Sequence, residues 1–512
     1  MLKNPISTGL NIFAWLFIRL PLGFSLPFTA LSLAWVFGGF RLANDRLATP
    51  LAAAVASFLE AQLPKPIGAA LISDLQAFVH AGMIIVLFAL GFIVAYNVSA
   101  FLNWILVISN LKPVPDSDGP PQVADEAPDA PSPLRNIERI GIVLAGGGAK
   151  GAYQAGAMKA IYRFLAQHGA LGKVRVISGT SIGSWNALFW LGNLIKPAND
   201  WNHRSVHERW WRSISAKSLT APSWYVPFFR NAFLSSLPWQ QDFDRLFGRE
   251  DVKQQLLAST IHFYLTRSDV RTGQLECVTN NPAPPKIQRV TYETLNPRGD
   301  AATFIDGVKA GVFASMDLPP LFPYALRNNR QFEDGGVIDN LPITFPAIEG
   351  CDLIFILPLN SDFEEQPNRH SVLARLLRVM DVRQGVLERS GFKMLYLYNE
   401  LAALRRQVAA VAPEVPAAAV AQAEIGRASP LISALQRRNE LINVFAICPL
   451  KSFVEETIDT RELWKRKEAG VAFEVMGNAT AGLLPHFDFQ PQDAVRVALV
   501  GRGGNITWDE QF

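Results

Sequence analysis

Three short segments hold residue types that could do chemistry together. Gly146-Gly147-Gly148-Ala149-Lys150-Gly151 stands directly after a β-rich run and before a helical one. Glycines there permit backbone conformations closed to other residues and let N–H groups approach an anion. Gly179-Thr180-Ser181-Ile182-Gly183 lies between another strand and helix. A serine in so tight a turn is held above a sheet, and the flanking glycines relieve crowding. The helix N-terminus that follows favours developing negative charge. The third segment is Asp334-Gly335-Gly336, continued by Val337-Ile338-Asp339-Asn340-Leu341-Pro342. An acidic residue beside two glycines is most often a plain turn, but a nucleophilic serine needs a base. None of His203, His207, His262, His370 and His486 stands in a recurrent pattern that would supply one.

Rival chemistries make demands that this sequence does not meet. A dinucleotide site needs an acidic residue about 20 positions after the glycines, yet no Asp or Glu occurs from Arg139 through Asn199. A phosphate P-loop needs Gly-Lys-Ser/Thr, which is missing. The net charge of +3 is nearly balanced and no basic stripe suggests nucleic acid. Cys277, Cys351 and Cys448 show no metal-ligand spacing and cannot all pair. They read as buried small hydrophobes, and neither a metal nor an organic cofactor is expected. A Ser–His–Asp α/β-hydrolase is the remaining rival.

The elements that position these segments alternate in type. Arg139–Ala145, Val174–Ser178 and Leu353–Leu359 read as strands, and Tyr153–Ala166, Ile182–Leu194 and Pro342–Glu349 as helices. Such alternation argues for an α/β domain with a mainly parallel sheet. Ser371–Gln407 reads as a long helix, Val408–Ala428 as a loop and Ile442–Ile447 as a last strand.

Together the three segments resemble the patatin-like phospholipase family over roughly Ile140 to Leu357. Ala314-Ser315-Met316 with Pro319-Pro320-Leu321-Phe322-Pro323 is similar to a supporting segment of that family, here with two central prolines. The resemblance implies a three-layer α/β fold and a serine–aspartate dyad. Ser181 would be the nucleophile, Asp334 the base, and Gly147 and Gly148 would offer N–H groups to an oxyanion. It also implies hydrolysis of phospholipid or related acyl esters through an acyl-serine. Lys150 stands where the family has a basic residue, and reads equally as a phosphate contact or a solvated lysine. Acyl transfer to another lipid would use the same dyad, and a non-catalytic lipid-binding protein is the reading from another class.

Hydrophobic residues make up 49% of the 512 and charged ones 18%, and the excess lies before Leu111. Leu20–Phe40 and Ala81–Leu111 are uncharged, each long enough to span a bilayer as a helix. A signal peptide or a buried hairpin are the alternatives to a two-span transmembrane helical hairpin. Thr49–Gln62 reads as a short amphipathic surface helix. Lys3, Arg19, Lys112, Arg135 and Arg139 on one side, against Arg41, Arg46 and Lys65 on the other, tilt toward a cytoplasmic main domain in an inner or plasma membrane. The organisation expected is a membrane anchor over 1–111, a Pro/Asp-rich linker over 112–136, a catalytic core over 137–360 and an extension over 361–512 that completes the domain. Aromatic residues between Trp201 and Trp239 suit either a core or an interfacial lid.

Overall fold

The computed structural model describes residues 22–62, 68–109, 133–198, 201, 203–214, 219, 221–222, 234–319, 321–359, 372–411, 441–450, 466–486, 495–501 and 503–508. The chain forms two compact units, Met1–Lys112 with Thr220–Ser235, and Pro113–Leu219 with Ser236–Phe512. The Pro/Asp-rich linker expected from Lys112 lies almost wholly outside the described residues.

In the first unit a helical path runs through α1 (Leu22–Ala34), α2 (Phe40–Ala43) and α3 (Thr49–Gln62). Wider π-helical turns at Trp35–Gly39 and Asn44–Ala48 join them. The first falls on the Gly38-Gly39 pair, where helix propensity is poor. In the second, the Thr49 amide and hydroxyl both donate to the carbonyl of Asn44. The 42-residue α4 (Gly68–Ser109) packs against α1 and α3. A two-residue pairing of β3 (Ala221–Pro222) with β4 (Leu234–Ser235) belongs to this unit too. Among the described residues one helical stretch, Gln76–Tyr96, has the length and apolarity to cross a membrane. It begins before the expected Ala81 because Ala77, Phe78 and Val79 join the apolar run. The run expected as a first span, Leu20–Phe40, is instead divided between α1, a π turn and the start of α2.

The second unit is built on an eleven-stranded sheet whose main order is β13-β12-β11-β10-β1-β2-β5-β6-β7. Its central strands are β1 (Ile140–Leu144) and β2 (Val174–Thr180), each followed by a helix, α5 (Gly151–Gln167) and α6 (Ile182–Leu191). After α7 (Val206–Ser213), α8 (Leu237–Phe247) and α9 (Glu250–Ala258) come β5 (His262–Asp269), β6 (Gln274–Thr279) and β7 (Val290–Thr294). Helix α10 (Ala301–Met316) leads to the hairpin of β8 (Ala325–Arg327) and β9 (Arg330–Asp334), and α11 (Thr344–Ile348) leads to β10 (Leu353–Leu357). Beyond lie α12 (Val372–Val411), β11 (Asn443–Pro449), α13 (Arg466–Leu483), β12 (Val495–Val500) and β13 (Ile506–Trp508).

Pairs β1–β10, β1–β2, β2–β5, β10–β11 and β11–β12 are all parallel. Every residue of β1 and β10 is buried, as expected of parallel strands covered on both faces. The sequence reading ended the strands at Ile442–Ile447. The sheet instead continues through β12 and the antiparallel β13. The latter two lie late in the chain, apart from the core motifs and beyond the last expected strand. Helix α12 extends four residues past the expected Gln407, into the stretch read as a loop. The rest of that stretch lies outside the described residues.

Trp210, Trp211 and Trp239 are buried, and Trp185 meets both Trp210 and Trp239 at ring distances of 5.1 and 5.4 Å. These three are core aromatics of the second unit. Trp224, Tyr225, Phe228, Phe229 and Phe233, on which a lid would depend, lie outside the described residues.

Candidate active site

Strand β5 brings the serine and aspartate segments together. Its first half runs parallel to β2, with Thr266 in register with Thr180, the residue before Ser181. Its last three residues pair antiparallel with β9, so that Arg267 stands opposite Asp334. Two consecutive residues of one strand therefore fix the two ends. The Thr180 and Thr266 hydroxyls bond each other at 2.6 Å, and Ser268 donates to the Asp334 carbonyl at 2.9 Å.

Ser181 has φ 52° and ψ −123°, a conformation that L residues rarely adopt. Strain of this kind persists only where surrounding contacts over-determine it. The Ser181 N–H donates to Ser315 Oγ at 2.8 Å, and Ser315 Oγ bonds Ser184 Oγ at 2.9 Å. The Ser181 carbonyl accepts the Ser184 amide at 2.9 Å, opening α6. Gly183 is required by packing, since a Cβ there would lie 2.2 Å from the Leu144 carbonyl oxygen.

Asp334 is buried, its carboxyl accepts the Gly336 amide at 2.7 Å, and the Ser181 hydroxyl lies near enough to act on it as a donor. Burial pushes its pKa up to about 6, despite the opposing pull of those two donors. Such a carboxyl is ionised at neutral pH yet basic enough to accept a proton, which an ordinary aspartate near 3.9 does poorly. Asp317, after the end of α10, is buried as well. Burial first, then the charges of Asp334 and Glu333, raise it to about 8. It stays protonated at neutral pH and adds no second negative charge beside Asp334.

The Gly-rich loop closes the third side. A Cβ on Gly146 would fall 2.4 Å from Asn340 Oδ1 and 3.1 Å from Ser181 Cβ, so this residue is wedged between the two. Gly147 is half-buried, and Gly148 is exposed with φ 55°. Among the described residues their amides have no backbone acceptor, whereas the Gly146 amide bonds the Asn340 carbonyl at 3.1 Å. Ala149 and Lys150 are half-buried and Gly151 opens α5. The arrangement sets the Gly-rich loop, the Ser181 turn and a buried carboxyl in one corner.

Sequence reasoning singled out Ser181, Thr180, Ile182, Gly335 and Gly336, and all lie in this corner. It missed Thr266, Ser268 and Asp317, which no local pattern marks. It quoted Ser315 only as part of a segment, without a role. His207 and His262 have other partners. His207 is buried, stacked on Phe189 at 4.4 Å and bonded to Asn186 at 3.1 Å; burial and the Lys159 charge bring its pKa to about 3. His262 pairs with Glu349. His370 lies outside the described residues.

Residues 142–347 match the family model of the patatin-like phospholipases. Over 240 residues the chain is 25% identical to Lysophospholipase NTE1 of Kluyveromyces lactis, covering 45% of this chain and 13% of that protein. Lysophospholipase NTE1 of Saccharomyces cerevisiae is 26% identical over 235 residues, 45% of this chain and 11% of its own length. The chain thus matches only a small part of these relatives. Among solved structures, VipD from Legionella pneumophila matches with 14% identity and a TM-score of 0.30, over 68% of this chain and 67% of its own. That likeness is too slight to carry an argument. The chain therefore carries a patatin-like phospholipase domain at residues 142–347.

Proposed function

We propose that the protein is a membrane-anchored serine hydrolase of phospholipid acyl esters, with Ser181 as nucleophile and Asp334 as base. The observation that carries this reading is that adjacent residues of β5, Thr266 and Arg267, set the strained Ser181 turn and the buried Asp334 carboxyl, raised to about 6, in one corner. Asp334 takes the Ser181 hydroxyl proton as Oγ bonds the ester carbonyl carbon. The amides of Gly147 and Gly148 meet the resulting oxyanion, each such donor being worth roughly 2.7–4 kcal/mol. Collapse breaks the ester C–O bond, and the leaving alcohol takes the proton back from Asp334. Water, deprotonated by the same carboxylate, then frees the acid from the acyl-serine.

The relatives named as lysophospholipases favour single-chain phospholipids as the first substrate to try. Anchoring through residues 1–111 is supported by the Gln76–Tyr96 helix, of mean hydropathy 2.5, with Phe78 76% and Ile85 69% exposed. Apolar side chains so exposed suit lipid better than water. The basic flanks favour a hydrolase domain on the cytoplasmic face.

The test is fatty-acid release from lysophosphatidylcholine micelles and diacylphosphatidylcholine vesicles by the full chain. Wild type releases acid and Ser181→Ala releases none above background. Equal release by both proteins would reject the hydrolase reading.

A further inference from the structure

Helix α12 lies wholly beyond the residues that match the family, yet it reaches the site. Its buried stripe runs through Glu388, Phe392, Leu395, Asn399 and Ala402, at the three- and four-residue spacing of one helix face. Four of these suit a packed face. A glutamate only 5% exposed does not, because burying a carboxyl is costly without a specific partner. One partner is Asn340, whose Nδ2 donates to Glu388 Oε1 at 2.6 Å. One turn earlier, Gln384 Nε2 approaches the Gly336 carbonyl at 3.4 Å.

Asn340 in turn holds the Gly-rich loop at two points. Its Nδ2 donates to the Gly146 carbonyl at 3.2 Å, and its own carbonyl accepts the Gly146 amide at 3.1 Å. The side-chain amide has two N–H groups, and the two acceptors, Gly146 and Glu388, use both. A rotated amide would lose both bonds at once. We infer that Glu388 is a positioning residue, which locks the Asn340 side chain so that Gly146 sets the Gly147 and Gly148 amides against Ser181. The catalytic part of this inference rests on the hydrolase reading above. It also makes α12 part of the catalytic apparatus.

The test compares wild type, Glu388→Ala, Glu388→Gln and Ser181→Ala as full chains, using lysophosphatidylcholine hydrolysis and amide hydrogen exchange over residues 143–151. Glutamine keeps an acceptor at the same reach. Glu388→Ala is expected to lower kcat by about 10²-fold, the scale of a small misplacement at a reacting centre, with KM within about twofold. Its 143–151 amides exchange faster than those of wild type. Glu388→Gln restores most of kcat and slows exchange again. Wild-type kcat and exchange in Glu388→Ala would overturn the inference, as would equal loss in the Ala and Gln variants. If Ser181→Ala proves as active as wild type, the hydrolase reading fails, and exchange over 143–151 alone decides whether Glu388 holds the loop.

Discussion

Asp334 and Asp269 are buried carboxyls on paired strands, β9 and β5, and their environments push them in opposite directions. Burial raises both. At Asp334 only the Ser181 hydroxyl and one amide oppose it, and the pKa stays up near 6. At Asp269 burial is outweighed by hydrogen bonds from Arg330 and from the Thr272 and Arg271 amides, and the pKa falls below the usual carboxylate value. Asp269 belongs to a charged cluster in which Arg267 pairs with Glu276 and Glu293, Arg330 with Glu276, and Arg327 with Glu293. Arg267 registers opposite Asp334 but spends its charge on the two glutamates. The difference teaches that burial alone does not set a carboxyl's role here. The cluster lowers the Asp269 and Glu293 carboxyls and holds β5, β6, β7 and β9 together. Among the described residues no cation is a cause of the Asp334 shift, and that carboxyl stays raised.

The largest effect that could break this contrast is at Asp334. Asp334→Asn is expected to lower kcat/KM on the order of 10⁴-fold, without a lower Tm at pH 7.5. The sign follows from linkage. A carboxyl raised on folding is most favourable below its unfolded value near 3.8 and costs stability as pH rises through about 6. An amide avoids that cost. Asp269→Asn should do the reverse, lowering Tm at pH 7.5, because a lowered carboxyl contributes stability above about 3.8 that is lost as pH falls. A lower Tm for Asp334→Asn alone would erase the distinction.

Next in size is Arg267→Met, which leaves Glu276 and Glu293 short of a buried cation. Urea unfolding should show a loss of about 3–5 kcal/mol. The folded fraction should still show the acidic limb of its activity near pH 6, since Arg267 is not among the groups acting on Asp334. A shift of that limb by a full unit would join the two regions electrostatically. Smaller still is Ser315→Ala, which leaves the Ser181 amide without its acceptor. Its expected cost is about 1–3 kcal/mol in urea unfolding, with kcat reduced more than KM is raised.

Both ends of the site were legible in the sequence because glycine spacing announces them. Ser181 needs a sharp strand-to-helix turn, and the turn's chemistry is local. Asp334 gained meaning only beside the other two segments. What joins them was not legible. The register that sets Thr266 against Thr180, and Arg267 against Asp334, is a long-range pairing with no local signature. Glu388 looks like any helix glutamate until the face it occupies is known. The parallel sheet followed from alternation, which continues through α13 to β12, beyond the last expected strand. In the first unit, hydropathy marked both apolar runs but not the π turn that divides the earlier one.

The most direct test of the Ser181–Asp334 pairing is the rate at which a fluorophosphonate probe labels the purified chain, followed by peptide mass analysis across pH 4.5–8. Labelling should fall on the Ser181 peptide and rise about tenfold per unit below pH 6, then level off. It should be lost in Ser181→Ala and slowed at every pH in Asp334→Asn. Labelling at another residue, or a Ser181 rate indifferent to Asp334→Asn, would contradict the pairing.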